Sequence, residues 1–347
     1  MTTSALVKPD LLFRYRVLVV LAHVATVFIT WPLWTAHELP PMLPALPLPS
    51  FGVGVPLLLT IVAQLFFPKR ALAAYAVVLL YACACDETRL QPQFFSFAFL
   101  SLSTWPEAGA QFLGRAHVVV LWLWAGALKL LSPAFIFLLG PLFVRQVWTD
   151  APDVVLALAG ILLALGEYLL ALLVLKPESR RFAGAATFAM HVGILSTLAA
   201  GRNENASIWP WNFALALSGV ALFEPWKGTA LADFRNQSRL VRALALTMLL
   251  SPLGWYVGLV DSYLSFHLYS VDVPVPDAPS KPFRATWKYL HVPIPPERRL
   301  YDRLFDLVCH PGEVMTVKET RTLFEGVTER QCPRTTERRR PASVVRP

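Results

Sequence analysis

Charged residues are scarce in this chain. Of its 347 residues, 16% are Asp, Glu, Lys or Arg, whereas a soluble domain carries roughly 25%. The mean hydropathy is +0.50 and 55% of the residues are hydrophobic. Apolar runs of roughly 17 to 25 residues recur along the sequence, each long enough to cross a bilayer as a helix. This composition excludes an ordinary soluble domain and predicts a multi-pass, all-α membrane protein.

Several catalytic and targeting signatures are also missing. The sequence has no HExxH, CxxC, GxSxG or P-loop motif, and Cys83 and Cys85 stand too close for a typical redox pair. No metal site and no nucleic-acid partner are therefore expected, and we assign the net charge of +8 to cytoplasmic loops. The first apolar run, from Val17, has no small-residue cleavage site after it, so we expect a retained helix rather than a cleaved signal peptide.

The apolar pattern predicts a transmembrane helical bundle of about nine spans within residues 1–260. A soluble tail, 261–347, is expected to be partly ordered with a disordered end. Residues 134–148 are short and interrupted by Gly140-Pro141, which predicts a re-entrant or interfacial segment. The predicted spans are 15–36, 51–67, 71–85, 94–106, 115–133, 153–175, 182–200, 208–224 and 240–260.

Basic residues concentrate on one side of this predicted topology, which orients the chain by the positive-inside rule. The outer loops hold Arg89, Arg145 and Arg202. We therefore expect a multi-pass membrane protein with a cytoplasmic N-terminus and an extracytoplasmic tail. In that compartment Cys309 and Cys332 could pair or remain two free thiols. The inner segments hold Lys8, Arg14, Arg16, Lys69, Arg70, Arg115, Lys176, Arg180, Arg181, Lys227, Arg235, Arg239 and Arg242.

Lys129 is the most costly residue in the predicted spans, because a charge near the bilayer centre costs about 3 to 10 kcal/mol. Its side chain either extends to the headgroups, pairs with a partner or takes part in chemistry. Desolvation would lower its pKa and make it a base or nucleophile, whereas a nearby carboxylate would keep it charged as a counter-ion. The sequence leaves these outcomes open.

Other polar residues cluster with Lys129 toward the outer ends of the spans. Buried ionisable groups usually converge inside a bundle, so we predict one polar pocket near the outer face. His191 by itself is more typical of a core histidine bonded to a neighbouring helix. Glu167 is expected deeper, toward the inner half of its span, and His23 is interpreted as structural. The pocket candidates are Asp86, Glu87, Arg89, Gln91, Gln93, Lys129, His191, Asn203, Asn205, Trp209, Trp211 and Asn212.

Three short motifs resemble the vitamin K-dependent γ-carboxylase family, also called HTTM proteins. The run Ala125-Gly126-Ala127-Leu128-Lys129-Leu130 resembles the family's A-G-x-K-K-L motif. The Asp86-Glu87-Thr88 segment resembles a D-x-T segment, although Gln91, Pro92 and Gln93 replace the family's Asn, Asn and His. The segments at Met190-His191 and at 205–213 resemble its F-H-x-x-N region. The resemblance covers about residues 10–225, and the chain looks closer to short bacterial members, which implies a bacterial inner (plasma) membrane.

The resemblance implies a reduced vitamin K or another hydroquinone, bound at an outer-leaflet pocket and deprotonated by Lys129. It implies His191 as a second catalytic residue, and a membrane-lipid or quinol partner with a protein or peptide substrate on the extracytoplasmic side. The lost histidine position and the absent β-rich domain weaken the expectation of glutamate carboxylation itself. The residues that would contact the cofactor are Arg89, Gln91, Gln93, Asn205, Trp211 and Asn212.

A second interpretation is a non-catalytic membrane module, either a DoxX-like quinone-binding subunit or an assembly subunit. Lys129 is then a structural counter-ion. A transporter is the third interpretation, but the two halves of the sequence show no convincing inverted repeat. The placement of Lys129 separates the first two: a lysine that faces lipid favours the module, and one on the wall of a deep apolar cavity favours the enzyme.

Overall fold

The computed structural model describes residues 9–200, 206–268, 273–277, 282–319 and 326–332, and these residues are mainly helical. Within these ranges a three-stranded antiparallel sheet has the order β1 (Val275–Asp277), β2 (Val314–Glu319) and β3 (Gly326–Gln331). The α-helices are α1 (Pro9–Ile29), α2 (Gly54–Ala63), α3 (Pro68–Cys85), α4 (Pro92–Ser103), α5 (Ala108–Leu130), α6 (Gly140–Val147), α7 (Asp153–Leu173), α8 (Arg180–Ala200), α9 (Trp209–Ser218), α10 (Ala230–Arg235), α11 (Arg239–Leu250), α12 (Pro282–Leu290) and α13 (Arg298–Val308).

Seven helical segments in the described part of the chain are long and apolar enough to cross a membrane. A helix of 18 residues rises about 27 Å, close to the hydrocarbon thickness of a bilayer. These segments support the predicted class, a multi-pass helical membrane protein. They are Pro9–Ile29, Pro68–Cys85, Ala108–Leu130, Asp153–Leu173, Pro177–Ala200, Ala206–Phe223 and Arg239–Val257.

Two of the predicted spans form helices of about half that length. The prediction at 51–67 corresponds to α2, with 10 residues, and the one at 94–106 corresponds to α4, with 12 residues. Proline contributes to their limits: Pro92 starts α4, and Pro68 starts α3 directly after the turn that follows α2. The predicted re-entrant segment at 134–148 contains a five-residue π-turn and then α6.

Glycines let three central helical segments pack with their backbones almost in contact. A Cβ on Gly126 of α5 would lie 2.5 Å from the Tyr168 nitrogen of α7, and one on Gly140 would lie 2.4 Å from the Gly160 Cα. Such small-residue contacts bring membrane helices close together. The first turns of α7 therefore pack beside α6, and its later turns pack against the C-terminal part of α5.

The tail forms a small domain of its own around the sheet. Leu300, Leu304 and Phe305 on one face of α13 pack against Met315 and Val317 of β2. Cys309 and Cys332 are joined by a disulfide, with a Cα–Cα distance of 5.8 Å. Of the two states that the sequence left open, the structure contains the bonded one.

This tail domain lies against the membrane helices rather than apart from them. Leu290 and Val292 belong to the same apolar cluster as residues of α1 and α3, and the Gln91 Nε2 donates to the Pro293 oxygen at 2.8 Å. The tail therefore covers the end of the bundle where α1 and α3 finish. The predicted disordered end, 333–347, lies outside the described residues.

Candidate functional site

An apolar cavity of about 370 Å³ lies among α5, α7, α8 and α9. This volume is within the range of about 300–1,000 Å³ typical of small-molecule sites. Aliphatic and aromatic side chains form most of its wall, and the ionisable groups on that wall are Lys129, Glu167 and His191. The lining residues used below are Trp122, Lys129, Phe143, Leu163, Glu167, Ala189, His191, Gly193, Trp211 and Asn212.

Lys129 and Glu167 form an ion pair on the cavity wall. The Lys129 Nζ lies 2.5 Å from the Glu167 Oε2, and both residues are buried. The same Nζ lies 5.6 Å from the centre of the Phe135 ring. The pair leaves N–H groups of the ammonium and one carboxylate oxygen without a partner among the described residues. These groups can bind a polar group of a ligand inside the cavity.

Glu167 meets Lys129 although sequence position predicts it deeper, in the inner half of its span. Its carboxylate contacts Lys129 near the C-terminal end of α5. The reason is the offset between the two helices. Because the Gly140–Gly160 contact pairs the start of α7 with α6, Glu167 comes level with the end of α5. Gly126, one turn before Lys129, permits the close approach.

His191 also lines the cavity, but both of its ring nitrogens already have partners. The Trp122 Nε1 donates to the His191 Nε2 at 3.2 Å, so the ring proton is assigned to Nδ1, which donates to the Asn212 Oδ1 at 2.9 Å. Asn212 in turn donates to the Ile208 oxygen at 3.0 Å. This chain holds a neutral imidazole in one orientation, which suits a positioning role better than proton exchange with a ligand.

Trp211 connects the cavity wall to a second buried histidine. Its Nε1 donates to the Ser96 Oγ at 2.9 Å, and that oxygen lies 2.8 Å from the His117 Nε2. Ser96, His117 and Trp122 were not among the residues predicted from the sequence. Trp122 could have been predicted from its spacing, because it precedes Lys129 by seven residues and therefore lies on the same face of α5.

Arg89 lies outside the cavity and is fully buried. Its Nε donates to the Leu33 oxygen at 2.8 Å, and its two Nη atoms donate to the oxygens of Ala82 and Thr35 at 3.2 and 3.1 Å. These carbonyls belong to the end of α3 and to the short helical turn after α1. Arg89 therefore joins two chain segments and does not reach the cavity.

The two predicted glutamines are also away from the cavity. Gln91 donates to the Thr88 and Pro293 oxygens, both at 2.8 Å, which joins α4 to the tail. Gln93 is buried at the start of α4, and its Nε2 has no hydrogen-bond partner among the described residues. Asn205 lies outside the described residues. The structure thus brings together Lys129, His191, Trp211 and Asn212, and it places Arg89, Gln91 and Gln93 elsewhere.

The acidic residues next to Arg89 anchor the loops and the tail. Asp86 accepts from the Leu43 and Thr88 nitrogens, both at 3.1 Å, and lies 3.0 Å from the His37 Nε2. Burial alone would raise the pKa of Asp86, but the hydrogen bond and charge of His37, the Arg89 charge and the Leu43 nitrogen together lower it below its ordinary value. The carboxylate is therefore held in its charged form.

Glu87 connects the membrane part to the tail. Its carboxylate binds Arg303 and also Arg299, at 3.0 Å. Arg299 donates hydrogen bonds to Asp261 and to Glu87, and these raise the pKa of its guanidinium, with the larger contribution from Asp261. Asp86 and Glu87, predicted as pocket residues, instead belong to this junction.

No family model, curated protein or solved structure matches this chain. The candidate site therefore has to be interpreted from its own geometry. Among the described residues, His, Cys, Asp and Glu do not form a cluster of three or more that could hold a metal.

Proposed function

We propose that the cavity binds a lipid-soluble molecule of the hydroquinone type, and that Lys129 and Glu167 handle its hydroxyl proton. The observation that carries this proposal is the position of a single ion pair with unused hydrogen-bonding groups on an otherwise largely apolar wall. A flat, mostly apolar ring with a hydroxyl group fits this site, because the ring can contact the apolar wall and the hydroxyl can bind the ion pair. The apolar wall also excludes water, which strengthens each electrostatic interaction inside.

A hydroquinone supplies a weakly acidic hydroxyl when it is bound. The Glu167 carboxylate can accept a proton at its free oxygen, and the Lys129 ammonium, at 2.5 Å, stabilises negative charge that develops beside it. Because a carboxylate neighbour keeps the lysine charged, we assign the base to the pair, with Glu167 as its acceptor, in place of a neutral Lys129. His191, held by Asn212, orients Trp122, and Ser96 orients Trp211.

The chain's similarity to the γ-carboxylase family remains part of this proposal. It is supported by the position of Lys129 after Ala125-Gly126, since Gly126 is the residue that brings Lys129 to its partner. A protein or peptide substrate and the carboxylation step are not needed by the proposal. We infer a quinol-dependent membrane enzyme of that general kind.

We also infer nine membrane crossings, which are the seven long segments together with α2 and α4. Arg16 contacts Thr104 at one end of the bundle, and His291 contacts the Ile29 oxygen at the other end. Basic residues concentrate near the first end and the tail covers the second. The positive-inside rule then places the N-terminus in the cytoplasm and the tail outside it.

A second function is favoured by the same ion pair. Lys129 and Glu167 satisfy much of each other's charge, as expected of a structural counter-ion in a non-catalytic quinone-binding or assembly subunit. In that case removal of both charges would leave any ligand binding intact.

Lipid extraction of the purified protein, followed by mass spectrometry for isoprenoid quinones, tests the proposal. We expect a quinone with the wild-type protein, a loss of at least about tenfold in Glu167→Gln, which removes the proton acceptor and its charge, and no loss in Glu178→Gln, an exposed control. A wild-type protein that carries no quinone, and does not take one up when it is supplied, would overturn the proposal.

A further inference from the structure

The cavity opens on the membrane-facing side of α7 and α8. Residues that line a cavity and are also exposed on the outer surface mark its opening. Leu163 of α7 is 45% exposed, and Ala189 and Gly193 of α8 are exposed as well. The ionisable groups of the wall are buried: they are Lys129, Glu167 and His191.

The two helices separate because they are joined closely at one end only. The short turn Pro177–Ser179 connects them, and Val174 and Ala183 pack into one core beside it. Farther along, α6 packs against both helices, and Phe143 of α6 lines the cavity. The opening lies between the packed end and α6.

Glycines keep this region open. A Cβ added at Gly193 of α8, or at Gly166 of α7, would meet no atom within 4 Å. This contrasts with Gly126 and Gly140, where a Cβ would collide with a neighbouring backbone. Gly193 therefore does not serve close helix packing, and its position on the cavity wall leaves a gap toward the surface.

The surface around the opening is apolar. Leu162, Leu169, Phe188 and Val192 are all at least 40% exposed on the same two helices. In a bilayer this surface meets acyl chains. A molecule that passes through the opening therefore moves between lipid and the ion pair without crossing a polar surface.

We propose that the site takes a ligand with a small polar ring and a long apolar tail, whose tail leaves the cavity between α7 and α8 into the lipid. This inference rests on the proposed function and adds to it the ligand's shape and its route. The cavity volume of about 370 Å³ holds a ring but leaves no room for a long isoprenoid chain. The tail must then lie in the opening.

The variants Gly193→Ala, Gly193→Leu and Gly193→Phe fill the opening in steps. We would titrate each purified protein with a long-chain isoprenoid quinone and with the same ring lacking a tail, and follow quenching of the intrinsic tryptophan fluorescence, to which Trp122 and Trp211 of the cavity wall contribute. Ala76→Phe, on an exposed face of α3, is the matched control. Thermal unfolding of every variant reports whether it is folded.

We expect the Kd for the tailed quinone to rise with the size of residue 193, by at least tenfold for Gly193→Phe, and the Kd for the tailless ring to rise by a several-fold smaller factor. Equal affinities for the tailed quinone in wild type and Gly193→Phe would overturn the route, as would an equal loss for both ligands in a folded variant. Failure of the wild-type protein to bind either ligand would instead overturn the proposed function.

Discussion

Two buried polar clusters in this protein each contain a cation and a carboxylate, but they differ in their hydrogen-bond partners. At the end of α3, Arg89 donates to three backbone oxygens, and Asp86 accepts from two backbone nitrogens. On the cavity wall, Lys129 and Glu167 contact each other through one short hydrogen bond. The first cluster is saturated by the chain itself, and the second retains groups for a ligand.

The difference shows that an ionisable residue beside an apolar run does not by itself indicate a site. In both clusters, desolvation requires that each charge be compensated. Backbone carbonyls at helix ends meet this requirement for Arg89. A second side chain meets it for Lys129, and side chains on a cavity wall leave bonding directions open.

We expect the largest effect on stability from replacing Arg89, the cation of the cluster at the end of α3. Arg89→Met removes the side-chain donor of the Leu33 and Thr35 oxygens, one of the two donors of the Ala82 oxygen and the positive charge beside Asp86. This loss should cost about 5 kcal/mol of folding free energy. We expect little folded protein on purification. Arg145→Met, at an exposed arginine of α6, should purify normally. A stable Arg89→Met protein that had lost quinone binding would instead make Arg89 a site residue.

A smaller effect should follow from breaking the cavity pair. Lys129→Met leaves Glu167 buried without its counter-charge and should cost about 3 kcal/mol, measured as a lower Tm. The double variant Lys129→Met with Glu167→Leu should recover most of that loss, because no charge remains unpaired. We expect it to be folded and unable to bind quinone. Wild-type binding by the double variant would establish the counter-ion function.

The smallest effect concerns Asp86 and pH. Its pKa in the folded protein lies below the ordinary value of 3.8, so its contribution to stability is fully present above that value. The contribution is lost as the pH falls through the folded-state pKa. The Tm of the wild-type protein should therefore fall below about pH 4 by more than that of Asp86→Asn. Parallel curves for the two proteins would contradict this assignment.

Much of the fold could be predicted from local composition. Long apolar runs gave the helical membrane class, and proline-rich segments marked several helix limits. The half-length helices α2 and α4 were harder, because a run such as 51–67 is apolar apart from Thr60 and Gln64 and its helix ends only where the backbone turns. Hydropathy records how apolar a segment is, but not where its helix stops.

The candidate site was predictable in part. Lys129, His191, Trp211 and Asn212 share the cavity, whereas the other predicted pocket residues that the structure describes lie elsewhere. Arg89 could not be separated from them, because two of its three partners are backbone atoms of residues more than 50 positions away. A sequence does not show which side chains donate hydrogen bonds to backbone carbonyl groups.

The sequence by itself determined that this protein enters a membrane as a helical bundle, and that Lys129 must turn inward, since both follow from the cost of polar groups in hydrocarbon. The tertiary structure decided which partner it meets. Glu167 is 38 residues away, and its height beside Lys129 depends on the offset of two helices that glycines bring together. Such an offset is set by close packing between the surfaces of the two helices, and it cannot be predicted from the apolar periodicity of either helix alone.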